Sequence, residues 1–508
     1  MDGELLADQP LGEKLIKKGF WLYFFAYLIG PAGYLVRVIV SNSVSVADVG
    51  ILYTILGLVG LLNVYNDLGL TESLQYFLPR YRVKKQFNYI KTSIYLSLAV
   101  QIFTAIIIAL FLWLGAPWLS IHYFHSPTAV IILKYFCFYF LGINLFQVLQ
   151  NIFIAFQDTF SSQFMDFIRM RSVVIFTILF FFTGKQSIER YSLNRVLGLF
   201  AGIIIASIIF YRKYRKNLLQ GTIVFEKPML KEYIKYALWS FLALNVFSLF
   251  GQAILQITIV MIGPDAAGYY TNFLSLFGIT TIIIGPIMGI IFPIVSELVS
   301  KKDTKKLSLL FDFFYTYFSV FSLSLAVFFI VLGPQLALVF FGHKFVFSGT
   351  LLSRSAIFII FNILFGFNFG VLAGLGKIKE RVKILLITTV LTVIITVGAI
   401  PILGVYGAIL GFSVSQLLLF ILSYRILNKT TKIHIHRGFV IKNIIFISIL
   451  GSIIWYIKGN IFIFDDLQRY NNLLKMIALG MCFYIVFAGF NYKKVLELKN
   501  EIRNIKKR

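Results

Sequence analysis

The sequence predicts an all-α integral membrane protein of about fourteen transmembrane helices, built as two six-helix pseudo-symmetric lobes plus two C-terminal helices. Three observations predict it. The chain is 59% hydrophobic and only 13% charged, with a mean hydropathy of +0.86, whereas soluble domains carry about 25% charged residues. Apolar runs recur from end to end, each near the roughly 20 residues that one hydrocarbon crossing needs. Short residue matches also recur along the chain at a nearly constant offset, the mark of an internal repeat.

The predicted spans run in order. "LGEKLIKKGF" at 11–20 reads as an interfacial helix with Lys14, Lys17 and Lys18 on its polar face, and no cleavable signal pattern precedes it. The first span, 20–41, is apolar except for Arg37. A charge at the centre of a spanning helix costs roughly 2.5–3.5 kcal/mol, so Arg37 either snorkels at an interface or faces a wet interior. Span 2 (49–70) carries Asn63 and Asn66, and span 3 (89–114) is apolar. Span 4 (129–156) begins with Lys134 and holds Gln147, Gln150 and Asn151 at helical spacings of three and four. Spans 5 (163–183) and 6 (193–212) follow, the latter with Gly198 and Gly202 one turn apart for close packing.

Span 7 (236–262) brings Asn245, Gln252 and Gln256, the two glutamines on a shared face. Span 8 (268–294) carries Gly285, Gly289 and two prolines, Pro286 and Pro293, that suit either tight packing or a hinge. Span 9 is 309–333. Span 10 (350–374) opens with Arg354 and continues through Asn362, Asn368 and a Gly366/Gly370/Gly374 ladder. Spans 11 (380–401) and 12 (404–426) follow, span 12 with Gly407, Gly411 and Gln416; spans 13 (439–457) and 14 (472–491) close the chain.

An even number of spans puts both termini on one side. Most of the 47 Lys and Arg residues then fall on that side, as loops or helix ends, against Lys185, Arg190, Arg195, Lys344, Lys458, Arg469 and Lys475 opposite. This positive-inside bias makes the N-terminal side cytoplasmic, and it accounts for the net charge of +26 without invoking nucleic acid. Once loops and helix ends are assigned to a side, Arg37, Lys134 and Arg354 are the cations left to the spans.

The repeat pairs "VADVGILYTILGLVG" (46–60) with "PDAAGYYTNFLSLFG" (264–278), matching Gly50 to Gly268 and Gly60 to Gly278. It also pairs Asn144 with Asn362, and Lys134 falls two residues short of Arg354 at the same offset. Residues 1–216 therefore form one predicted lobe, 217–430 the second, and 431–508 the appended helices and a basic tail. Two copies of an even-helix unit share one topology and enclose a cleft that rocking can open to alternate sides.

Several chemistries find no support. Cys137 and Cys482 both lie in spans and form no zinc or disulfide framework. "GVLAGLGKI" (370–378) lacks the spacing and the Ser/Thr of a phosphate loop and follows no strand. The five histidines form no ligand set, and no long outer loop can house a catalytic apparatus, its one acid pair being Asp465/Asp466. We expect no enzyme activity, no metal and no cofactor, while coupling to an H+ or Na+ gradient is compatible with the acids Asp67, Glu72, Asp166, Glu297 and Asp312. Asp67, Asp166, Glu297 and Asp312 fall near cytoplasmic helix ends or their loops, close to Arg80, Arg169, Arg171 and Lys301, where local ion pairing is the alternative.

The stretch "RVIVSNSVSVADVGILYTILGLVGLLNVYNDLGLTESLQYFLPRY" (37–81) resembles the first-to-second-helix region of the polysaccharide-export flippases, members of the multidrug/oligosaccharidyl-lipid/polysaccharide (MOP) exporter superfamily. "GPDAAGYY" (263–270), "FPIVSEL" (292–298) and "LAGLGKIKER" (372–381) look like the corresponding second-lobe region. The resemblance covers roughly 15–430. It implies a V-shaped transporter of the bacterial inner membrane that moves undecaprenyl-diphosphate-linked oligosaccharide for O-antigen, capsule or exopolysaccharide synthesis, with the bilayer and a polysaccharide polymerase as partners. A large anionic headgroup needs cations in a wet cavity, so Arg37, Lys134 and Arg354 are the candidate diphosphate ligands. Asn63, Gln147, Gln150, Gln252, Gln256, Asn362 and Asn368 are candidate glycan contacts, with interhelical hydrogen bonding as the alternative reading. A cation-coupled multidrug exporter of the same superfamily is the competing function.

Overall fold

The computed structural model describes residues 11–218, 221–301, 303–429, 435–462, 464, 468–492 and 494. Among these the chain is helical throughout, as backbone in hydrocarbon must satisfy its own hydrogen bonds. The helices are α1 Leu11–Ser43, α2 Val46–Asp67, α3 Leu70–Val83, α4 Phe87–His122, α5 Ala129–Ala155, α6 Thr159–Phe182, α7 Ile188–Leu218, α8 Lys227–Met261 and α9 Pro264–Ser300. They continue with α10 Thr304–Phe313, α11 Ser319–Phe341, α12 Val346–Ser355, α13 Ile359–Gly374, α14 Ile378–Leu403, α15 Val405–Asn428, α16 Arg437–Asn460 and α17 Arg469–Phe490.

Each of the fourteen expected spans falls on helix. Span 9 runs through α10 and α11, which a π-turn at Phe314–Phe318 joins, and span 10 through α12 and α13. Thirteen helices of the described residues are long and apolar enough to cross a membrane. α6 is not among them, because Asp166, Arg169 and Arg171 interrupt its apolar run. α1 continues without a break from the stretch expected to lie in the interface.

Two compact units emerge: Met1–Thr271 with Leu385–Phe412, and Asn272–Ile384 with Ser413–Arg508. In the first, α2 starts at a capping box. Ser45 accepts from the Asp48 N–H, and the Asp48 carboxylate accepts from the Ser45 N–H and hydroxyl. α2 ends where Leu68 and Gly69 turn left-handed at φ 50° and 74°, and the short α3 departs from there.

α8 packs along both α2 and α3, where Gly57 and Gly69 permit the approach, and Gly50 lets the first turn of α9 meet α2. A Cβ on Gly50 would stand 2.0 Å from the Pro264 carbonyl, and one on Gly69 2.1 Å from the Ala237 carbonyl. One on Gly57 would stand 2.4 Å from Gln252 Oε1. A cluster of Leu74, Phe77, Leu78, Ile90, Met229 and Tyr233 closes the core where α3, α4 and α8 meet. In the second unit, α16 and α17 pack on α11 through Val320, Leu332, Ile447, Ile454 and Phe483.

Candidate functional site

In the first unit, α1, α2 and α7 bring charge and aromatic rings together. Arg37, on the last turns of α1, lays its guanidinium 3.8 Å from the centre of the Tyr53 ring on α2. Tyr34, one turn back, and Arg195 of α7 also lie within electrostatic reach of it. Arg195 was expected in an outer loop. The predicted span begins at 193, only two residues before it; α7 begins at Ile188, so Arg195 is half-buried well inside the helix. The result is one guanidinium, Arg37, among two tyrosines, with a second guanidinium nearby.

Lys134 sits early on α5, half-buried, with its ammonium 5.2 Å from the Trp113 ring of α4. The structure adds a cation that the reading of spans placed at a helix end. Arg169 lies inside α6, with Asp166 one turn away at 2.6 Å, Tyr139 as a further hydrogen-bond partner and the Phe146 ring alongside. Its side chain is 21% exposed. The signal was present in "SSQFMDFIRMRSVVIFT": an acid and a base three apart within an apolar run are positioned to neutralise each other on a helix.

The amides divide between pairs and clamps. Asn63 donates to Gln147 at 2.9 Å, joining α2 to α5. Asn66 donates to Asn144 on α5, and Thr104 of α4 donates to the side-chain Oδ1 of Asn66 at 2.8 Å. Gln150 is half-buried on α5. Gln252 and Gln256 lie over Gly57 of α2. Gln256 is engaged at both ends: it donates to the Thr54 carbonyl at 3.1 Å and accepts from the Tyr123 hydroxyl at 2.7 Å.

At the α2–α3 break a carboxylate is buried. Asp67 is 4% exposed. It accepts from the Thr71 N–H at 3.1 Å and from Gln101 of α4 at 2.8 Å, and Thr71 Oγ1 stands 2.9 Å from it. This acid was expected at a helix end near Arg80; its partners are instead an amide and a hydroxyl.

In the second unit, Arg354 is exposed near the end of α12. Asn362 of α13 donates to Gln416 of α15 at 2.9 Å. Asn368 is fully buried, accepts from the Tyr315 hydroxyl at 2.6 Å and donates to Ser423 Oγ at 2.9 Å. Tyr315 belongs to the π-turn, whose extra residue turns the hydroxyl toward α13. The acid pair Asp465/Asp466 lies outside the described residues. Among the described residues no group of three His, Cys, Asp or Glu side chains could hold a metal.

The family model for polysaccharide biosynthesis proteins matches residues 15–299. An uncharacterized membrane protein of Methanocaldococcus jannaschii is 24% identical over 98% of this chain and 99% of its own. Among solved structures, the lipid II flippase MurJ in an inward closed conformation superposes with a TM-score of 0.68 at 14% identity, over 95% of this chain and 100% of that one. An inward-facing multidrug resistance MATE family transporter of the MOP superfamily gives 0.65 at 13% identity, over 84% and 95%. A MOP superfamily transporter from Pyrococcus furiosus, described as having a binding pocket of reversed polarity, gives 0.56 at 14% identity, over 86% and 95%. The fold is that of the MOP transporters.

Proposed function

The chain belongs to the family of polysaccharide biosynthesis proteins, and from that premise we propose that it flips a polyprenyl-diphosphate-linked oligosaccharide across a prokaryotic cytoplasmic membrane. The observation that carries the reading is Arg37: a guanidinium inside a spanning helix, held against Tyr53 with a second guanidinium, Arg195, in electrostatic reach. Two like charges kept close at low dielectric repel, and an anion between or beside them relieves that cost. Arg37, Lys134 and Arg354 would take the diphosphate, with Asn63, Gln147, Gln150, Gln252 and Asn362 offered to the sugar, while Gln256 and Asn368 are buried in interhelical hydrogen bonds. The lobes 1–216 and 217–430 would rock about this site.

On this reading the protein is a transporter and not an enzyme, and the lipid tail stays in the bilayer. Both termini lie in the cytoplasm, in keeping with the distribution of Lys and Arg, and a polysaccharide polymerase consumes the flipped product. O-antigen, capsule and exopolysaccharide precursors all share the required chemistry.

The test is export in a host lacking its own flippase, with Arg37→Ala, Lys134→Ala and Arg354→Ala singly and combined. Loss of polymer at normal protein level supports the site, and full export by the triple variant overturns it. Buried Asp67 favours a second reading, a cation-coupled drug exporter. Drug resistance conferred on a sensitive host, with no rescue of polymer export, would select it.

A further inference from the structure

The α2–α3 break carries two carboxyls around a single hydroxyl. Thr71 Oγ1 is 2.9 Å from Asp67 Oδ2 and 3.1 Å from Glu72 Oε2. A threonine hydroxyl has one hydrogen to donate and otherwise accepts. With both carboxyls ionised, that one hydrogen is split between two acceptors and neither contact is a full bond. With one carboxyl protonated, the hydroxyl donates to one and accepts from the other, and both contacts become full hydrogen bonds.

Gln101 of α4 supplies an independent indication. It is 1% exposed, and its Nε2 points at Asp67 Oδ1 from 2.8 Å. Its Oε1 is buried and has no hydrogen-bond partner, so nothing on the far side fixes which end of the amide faces Asp67. An ionised Asp67 takes the NH2 end, and a protonated one can donate to the carbonyl end. The amide can therefore follow the charge state of the carboxyl.

Among the described residues, the side chains that bond Asp67 are a hydroxyl and an amide, not a cation. The titratable group that α8 turns toward Asp67 is Tyr233, whose hydroxyl already bonds Ser97 of α4 and the Leu70 carbonyl. α5 offers uncharged amides, Asn144 to Asn66 and Asn151 to Gln75. A second negative charge at this depth would be costly.

We propose that Asp67 and Glu72, bridged by Thr71, hold one exchangeable proton and form a proton-binding site at the α2–α3 break. Asp67 is the deep partner, and Glu72, half-buried, is the side from which the proton passes to water. Occupancy is linked to conformation through the cap on α3: the N-cap Gly69 has no side chain, so Asp67 Oδ1 stands in by accepting the Thr71 N–H. Protonation weakens that cap one step from Gly69, whose backbone abuts α8.

The test is infrared difference spectroscopy of the full-length protein in lipid nanodiscs, titrated through neutral pH. The expected result is a protonated-carboxyl C=O band that titrates, is lost in Glu72→Gln and in Asp67→Asn, and persists in Asp166→Asn, whose carboxyl is paired with Arg169. Glu72→Gln keeps the test decisive should Asp67→Asn not fold. A band absent from the wild type, or unchanged in Glu72→Gln, overturns the proposal. So does a band that disappears when sodium replaces choline at constant ionic strength, which would assign the same oxygens to sodium. No lipid-linked sugar enters the measurement, so its outcome is independent of the flippase reading.

Discussion

The guanidinium of Arg37 rests 3.8 Å from the centre of the Tyr53 ring. Cation–π contacts contribute about 0.5–1 kcal/mol at exposed sites and about 2 or more when desolvated, so the ring aims the charge as well as stabilising it. Tyr53→Phe keeps the aromatic face and should export polymer as the wild type does. Tyr53→Leu should lower both export and thermal stability, measured by complementation and by thermal unfolding in nanodiscs.

The seam between α2 and the first turn of α9 depends on glycine at position 50. An added methyl would overlap the Pro264 carbonyl at 2.0 Å, and main chain cannot step aside as a flexible side chain can. Overpacking of this kind costs about 1–3 kcal/mol. Gly50→Ala should lower the unfolding temperature, whereas Gly60→Ala, where nothing lies within 4 Å, should leave it unchanged.

Asp158 ties the start of α6 to α7. Its carboxylate caps the Ser161 N–H at 3.2 Å and binds Lys213 and the Tyr214 hydroxyl at 2.7 Å each. Burial alone would raise its pKa. The Lys213 ammonium, the Tyr214 hydroxyl and the Ser161 N–H together outweigh burial and hold it below the usual carboxylate range. A depressed folded pKa means that its stabilisation is complete above the unfolded value and is lost as pH falls through the folded one. Asp158→Asn should therefore destabilise at neutral pH by about 1 kcal/mol, the usual worth of a cap. The difference from wild type should close in acid below the carboxylate range, followed by thermal unfolding against pH.

Asn368 joins α13 to the π-turn and to α15 through Tyr315 and Ser423. Its replacement by leucine strands a tyrosine hydroxyl in a fully buried setting. An unsatisfied buried group costs about 1–3 kcal/mol. Asn368→Leu should destabilise by that amount, and Asn368→Leu combined with Tyr315→Phe should recover part of it, measured as a double-mutant cycle.

The spans were legible because hydropathy is a property of consecutive residues, and each predicted span fell on a helix. α6 shows the limit of that signal: its charged Asp166–Arg169 pair reads as a helix end, although Phe146 and Tyr139 of α5 surround it mid-helix. Arg195 was misplaced for the related reason that the first turns of α7 are polar enough to resemble a loop. The polar amides were legible as a set, but not their partners, since Asn63 and Gln147 stand 84 residues apart.

The sequence by itself determined an all-helical membrane chain, its scarcity of charge within spans and its likeness to polysaccharide exporters. Only the tertiary structure decided which way each polar group faces. It set Arg37 on Tyr53, gave both ends of the Gln256 amide to α2 and the α4–α5 turn, and buried Asp67 beside Gln101. The physical reason is that these helices are apolar nearly all round, as segments in lipid are. Periodicity then marks no inner face, and orientation is fixed by contacts between helices that the chain order keeps apart.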